Sequence, residues 1–306
     1  MEIIDGQIHN PAIGGGRTGE IPDGMTMSDE QELFVEVELA REAIGAAGVD
    51  RAIVFANHAF NQAATRYYPE LFRAVEVLDY GAADLEEQMA RLAADPGTVG
   101  TRALFTNFGQ VWRQPGGVLE LNPLIAQGAY DNYFAMAAKY DVPMFLGAHK
   151  FASEASVFAE RHPEMTLIVD HFGVTQSLLE PPADRWDALP NLLEMARYPN
   201  VYVKMCGTPI ISEQEYPYRD IWPYMHQILH AFGAERCLWA SDYTRQRWGT
   251  ETPLGPDGQP RREDWIPYAN ALNYILLTNE LSESDKEWVL GKTVRRALKL
   301  DWPEVS

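Results

Sequence analysis

The chain has 306 residues, 46% of them apolar, with 25 basic against 44 acidic side chains and a formal net charge of −19. That field repels nucleic acid and anionic membranes, and no apolar run reaches the roughly 18 residues of a membrane span. The acidic groups lie along helical faces (Glu36, Glu38, Glu42; Glu86, Glu87), so they act chiefly as solvating charge, and an anionic ligand needs its own local Arg or Lys.

The chain opens on Ile3-Ile4-Asp5-Gly6-Gln7-Ile8-His9, a strand-like segment, and the expectation is that no signal peptide is present. Residues 10–28, rich in Gly and Pro, follow as an insertion, and a helix then ends near Gly48. Residues 50–57 (DRAIVFAN) read as a second strand and 72–78 as a third, although Arg73 and Glu76 interrupt it. A helix over 83–94 and the breaker Asp95-Pro96-Gly97 lead to a fourth strand at 99–105. A second insertion, 108–122, precedes a helix at 130–140.

The fifth strand runs from Val142 to Gly147 and delivers His149; a helix at 153–161 separates it from the sixth, Leu167-Ile168-Val169-Asp170-His171. Residues 200–205 (NVYVKM) form the seventh, followed by an aromatic insertion at 207–223 and a helix at 224–232. Cys237-Leu238-Trp239-Ala240-Ser241-Asp242 is the eighth, trailed by an insertion at 243–264 and a final helix at 290–300 with basic residues in its last turns. Short apolar runs alternating with helices predict buried parallel strands, and eight of them predict one (β/α)8 barrel, a TIM barrel, over residues 1–306. The insertions fall on the side where such barrels build their pockets. Cys206 and Cys237 both lie in strands, which predicts buried free thiols in a reducing cytoplasm.

Polar residues recur where these apolar runs end. Gln7 and His9 are two apart on one strand, on one face, with Asp5 a step further along it. His149 ends a run as apolar as PMFLGA, with Lys150 beside it. His171 is a ligand or a general acid or base, and its neighbour Gly173 allows a close approach. Asp242, a carboxylate at the end of a late buried strand, is costly unless it binds a cation, pairs with an imidazole or handles protons; capping the next helix is the structural alternative. Arg102 and Lys150 are candidates to hold a substrate carboxylate or to form salt bridges with the abundant acids, with Lys204 and Arg245 in lesser versions of the same role. His58, after the second strand, reads as structural.

Taken together, Ile4-Asp5-x-x-x-His9-x-Pro11, Pro143…His149, Val169-Asp170-His171-x-Gly173, Asn200-Val201-Tyr202-Val203-Lys204-x-x-Gly207 and Leu238-Trp239-Ala240-Ser241-Asp242-Tyr243 resemble the amidohydrolase-related family, across nearly the whole chain. That family includes small lactonases and metal-dependent decarboxylases of aromatic and dienoic acids. The resemblance makes His9 a ligand or substrate-binding residue, His149 a ligand, His171 an acid–base group or ligand, and Asp242 a ligand or general base toward water. We take His9, His149 and Asp242 as metal ligands, His171 and Asp242 as catalytic, and Arg102, Lys150, Gln7 and Tyr243 as substrate-binding. The resemblance implies at most one divalent ion, zinc or manganese. Gln7 stands where the family usually has the first histidine of His-x-His, which leaves a metal-free mechanism open.

The expected activity is hydrolysis of a small cyclic ester, water being activated by Asp242; the alternative is non-oxidative decarboxylation, and a non-catalytic binding barrel is the third reading. Aromatic residues in the insertions (Trp112, Tyr216, Tyr218, Trp222, Tyr243, Trp248) point to a ring-containing substrate, or else to a covered barrel mouth or dimer contact. Analogy alone suggests a homodimer, and the sequence leaves the oligomeric state open.

Overall fold

In the computed structural model, residues 1–10, 28–55, 57–106, 120–174, 185–243 and 267–303 are described. Eight strands lie in sequence order, each parallel to the next: β1 Ile4–Ile8, β2 Arg51–Phe55, β3 Phe72–Glu76, β4 Thr98–Leu104, β5 Met144–Gly147, β6 Leu167–Val169, β7 Val201–Cys206 and β8 Cys237–Ala240. The predicted barrel is therefore the observed one. Its last seam, between β8 and β1, is made just beyond the end of β8. There Asp242 N donates to Gln7 O (3.1 Å), His9 N donates to Tyr243 O (3.2 Å), and Ile8 bridges Tyr243 in parallel. Gly6 makes this approach possible: a Cβ there would lie 2.9 Å from the Trp239 carbonyl and 2.8 Å from a Leu238 methyl.

Two apolar sets form because strand side chains alternate. Ile4, Ile53, Phe55, Val75, Phe145, Ile168 and Leu238 pack together with Val294, Leu298 and Trp302 from the C-terminal segment. That segment is fastened to the start of the sheet: Arg295 clasps Glu2 with two hydrogen bonds, Arg51 donates to Pro303 O, and Trp302 Nε1 donates to Pro69 O. The larger set fills the space between strands and helices. Arg73, which interrupts the third strand in sequence, is tolerated because its guanidinium reaches Asp301 at 3.0 Å.

The first helix, Asp29–Ala47, shows why these elements start and stop where they do. Ser28 and Gln31 form a reciprocal capping box, three acidic residues occupy the first turn, and Gly48 ends the helix in the left-handed region at φ 78°. Other helices depart from the sequence expectation at their ends. The helix expected at 224–232 begins at Trp222, because Pro223 suits a first turn. The helix expected at 153–161 is a 3-10 turn, His149–Ala155, running into a short helix, Ser156–Arg161. The final helix is interrupted by a π turn at Trp288–Lys292 and closes at Ala297.

The insertions at 10–28, 108–122 and 243–264, with Trp112, Arg245 and Trp248, fall almost wholly outside the described residues. In the 207–223 insertion, Tyr218 and Trp222 are buried and pack edge-on or tilted against Tyr274, while Tyr216 is exposed. Both cysteines are free and buried. Among the described residues no helix is long and apolar enough to cross a membrane.

Candidate active site

Three strands end in backbone that ordinary residues avoid. His149, just after β5, has φ 45°; His171, after β6, has φ 53°; Asp242, after β8, has φ 58°. Non-glycine residues in the left-handed region cost about 1–3 kcal/mol each and persist where the surroundings over-determine them, commonly at active sites. All three side chains are also buried, at 2%, 1% and 0% exposure. Strain and burial thus coincide on the residues that sequence singled out.

Asp242 is the hub. Its Oδ1 accepts a hydrogen bond from Gln7 Nε2 at 2.7 Å and lies 2.9 Å from His9 Nε2, and its Oδ2 faces His171 Nε2 at 3.7 Å. The Gln7 amide nitrogen is also 3.0 Å from His9 Nε2 and 3.5 Å from His171 Nε2. His149 stands one ring further out, parallel to His171 with centroids 6.0 Å apart.

Behind this cluster runs a buried chain of charge. Lys204, fully buried in β7, donates to Gln7 Oε1 and pairs with Asp170 Oδ1 at 2.6 Å. Arg102, from β4, pairs with the other Asp170 oxygen at 2.7 Å. An ammonium can only donate, so Lys204 holds the carbonyl end of the Gln7 amide and turns the NH2 end toward Asp242.

The titration behaviour follows from this setting. Burial pushes His149 down to about 3, helped by His171 and Arg102. Burial likewise brings His171 down to about 4, against the pull of Asp242. Both imidazoles are therefore neutral near pH 7 and serve as hydrogen-bonding groups. Burial alone would raise Asp170, but the Arg102 and Lys204 charges reverse it and hold the carboxyl well below the usual carboxylate range. The Cys206 thiol, at the end of β7, is pushed well above its ordinary value by burial and then by Asp242.

Asp5 behaves differently from the sequence expectation. The pairing of β1 with β2 slips between Asp5 and Ile8, so strict alternation fails and Asp5 leaves the Gln7 face. Its carboxylate accepts instead from Ser241 N (2.9 Å), Gln7 N (3.0 Å) and Tyr268 OH (2.6 Å), supporting the turn that carries Asp242. Burial raises Asp5 to about 6 despite those bonds.

Of the remaining expected residues, Arg102 takes the salt-bridge course with Asp170. Lys150 lies half-buried with its ammonium 5.0 Å above the Phe151 ring. Tyr243 is buried and stacked on Tyr268 at 4.2 Å. His58 is exposed, its Nδ1 3.1 Å from a Glu76 carboxylate oxygen, in keeping with a structural role. Lys204 is the residue sequence reasoning undervalued; a lysine inside NVYVKM was the available signal, since such a charge is almost never fully buried without a partner.

His171, Cys206 and Asp242 also bring ligand atoms within 4.8 Å of one another, an imidazole, a thiol and a carboxylate of the kinds zinc takes. Around His9, however, the arrangement does not fit an ion. The point flanked by His9 Nε2, His171 Nε2 and Asp242 Oδ1 is filled by the Gln7 NH2 group, which has no lone pair to offer.

Comparison with known proteins agrees with this architecture. The family model described as Amidohydrolase matches residues 4–300. An L-fucono-1,5-lactonase of Burkholderia ambifaria is 27% identical over 175 residues, 56% of this chain and 54% of that protein, so the chain spans about half the length of this curated relative. Among solved structures, an amidohydrolase from Burkholderia multivorans with bound zinc superposes with a TM-score of 0.68 at 17% identity, covering 98% of this chain and 100% of the other. A probable 2-pyrone-4,6-dicarboxylic acid hydrolase of Acinetobacter baumannii with citric acid bound gives 0.67 at 14% identity, with the same coverage.

Proposed function

The chain belongs to the amidohydrolase family, and we propose that within it this protein hydrolyses a small lactone or related cyclic ester, with Asp242 as the base that activates water. The observation that carries this is the buried Asp242 carboxylate, fixed through one oxygen by Gln7 and His9 while the other faces His171. A lactone-opening relative and a superposable pyrone hydrolase fold support the same chemistry.

In this reading Asp242 takes one proton from water as the oxygen attacks the ring carbonyl. The developing oxyanion forms beside the buried imidazoles of His171 and His149, in a dry setting. Collapse breaks the ring C–O bond, and the proton held by Asp242 passes to the departing alkoxide, so one ester and one water give one hydroxy acid. Gln7 and Lys204 keep the Asp242 carboxylate oriented throughout. Tyr243 and Lys150 border the same barrel end, the first buried beside Asp242 in sequence and the second beside His149.

The test is acid release from a panel of lactones, beginning with L-fucono-1,5-lactone and 2-pyrone-4,6-dicarboxylate, for wild type and Asp242→Asn. At least one lactone is opened by wild type, and the variant loses about 10³-fold or more in kcat while keeping its fold by circular dichroism. Equal rates in the two proteins would remove Asp242 from the base role.

A further inference from the structure

We infer that the Gln7–Lys204 pair is a latch that keeps metal affinity low, its amide NH2 standing in for a cation between His9, His171 and Asp242. The amide nitrogen contacts Asp242 Oδ1 at 2.7 Å, His9 Nε2 at 3.0 Å and His171 Nε2 at 3.5 Å, so it touches three atoms that a divalent ion at this point would use. Its two N–H groups point to Asp242 Oδ1 and toward the imidazole nitrogens, so a donor occupies the place where a cation would need lone pairs.

The amide cannot simply turn over and offer its oxygen. Lys204 holds that oxygen, and Lys204 is itself buried and anchored by Asp170, which is anchored in turn by Arg102. The ammonium also sits one amide's width from the point in question, where its charge repels a second cation. Cys206 lies in the same cluster, its sulfur within 4.8 Å of ligand atoms of His171 and Asp242. The latch thus sets how strongly His171, Cys206 and Asp242 hold an ion, whatever the reaction proves to be.

The experiment is zinc and cobalt(II) binding by dialysis equilibrium and titration calorimetry on wild type and Gln7→His, with the cobalt absorption spectrum as a second readout. Gln7→His supplies the missing ligand beside His9 and removes the NH2 group. Its zinc affinity is expected to rise about 10- to 100-fold over wild type. Tetrahedral cobalt bands should appear in the variant at concentrations where wild type shows none. If Gln7→His fails to fold, Gln7→Glu, which also replaces the NH2 by a ligand oxygen, is read in the same way. Equal affinities in wild type and the folded variants would overturn the inference, as would one zinc equivalent in wild type that survives dialysis against a chelator. Because the readout is binding, either result leaves the lactonase reading to its own assay.

Discussion

Lys204 links the barrel interior to the candidate catalytic group. Its ammonium joins Asp170 to Gln7, and Gln7 joins it to Asp242. Removing one partner of a buried ion pair leaves the other uncompensated, at about 3–5 kcal/mol. Arg102 still compensates Asp170 when Lys204 is removed, so Lys204→Met is expected to lower the urea-unfolding free energy by less, about 1–3 kcal/mol. A loss under 1 kcal/mol by urea titration would show that the chain of charge is not what holds this face together. At this scale the sequence was informative about identity and poor about partnership. His9, His149, His171 and Asp242 stood out because polar residues end apolar runs, and three of them meet at Gln7. Nothing in the spacing revealed that Arg102 would turn to Asp170, because both lie inside strand segments and only the barrel register brings β4 and β6 to one charge.

At the scale of elements all eight strands were legible, most of them as short apolar runs because strands buried on both faces carry little polar alternation, with β1 and the interrupted β3 the exceptions. The slip in β1 was not legible, because Asp5-Gly6-Gln7 reads as regular alternation until β2 and β8 are in place. That seam is sensitive to volume. Gly6→Ala would put a methyl within 2.9 Å of the Trp239 carbonyl, and strain of this kind costs about 1–3 kcal/mol. The expected result is a lower thermal midpoint together with reduced turnover, because the same seam carries Asp242. An unchanged midpoint would mean that β8 moves freely away from β1. Capping is a gentler case: Ser28→Ala should cost about 1 kcal/mol, measured by urea unfolding, with no effect on activity.

Over the whole molecule the buried groups give stability a defined pH dependence. His149 and His171 are depressed to about 3 and about 4 in the folded chain, so unfolding takes up protons below their ordinary pKa of 6.5, and stability falls as the solution is acidified from there. Asp5 runs the other way. Raised to about 6, it binds a proton in the folded state that the unfolded chain releases, so its contribution is complete below 3.8 and is lost as pH rises through 6. Between about pH 4 and 6 the two histidines outweigh the one aspartate by a single proton, a slope of about 1.4 kcal/mol per pH unit. Urea midpoints across that window should show it. Asp5→Asn should steepen the slope, His149→Gln should flatten it, and the reverse pattern would contradict the burial of these groups as neutral species.

Lactone hydrolysis and decarboxylation differ in the bond that is broken. The most direct measurement follows proton release and carbon dioxide release together, on wild-type protein supplied with lactones and, separately, with hydroxybenzoates. One equivalent of acid is expected for each lactone opened, and no carbon dioxide from either class. Carbon dioxide released from a hydroxybenzoate, with every lactone left intact, would contradict lactone hydrolysis and make the protein a decarboxylase.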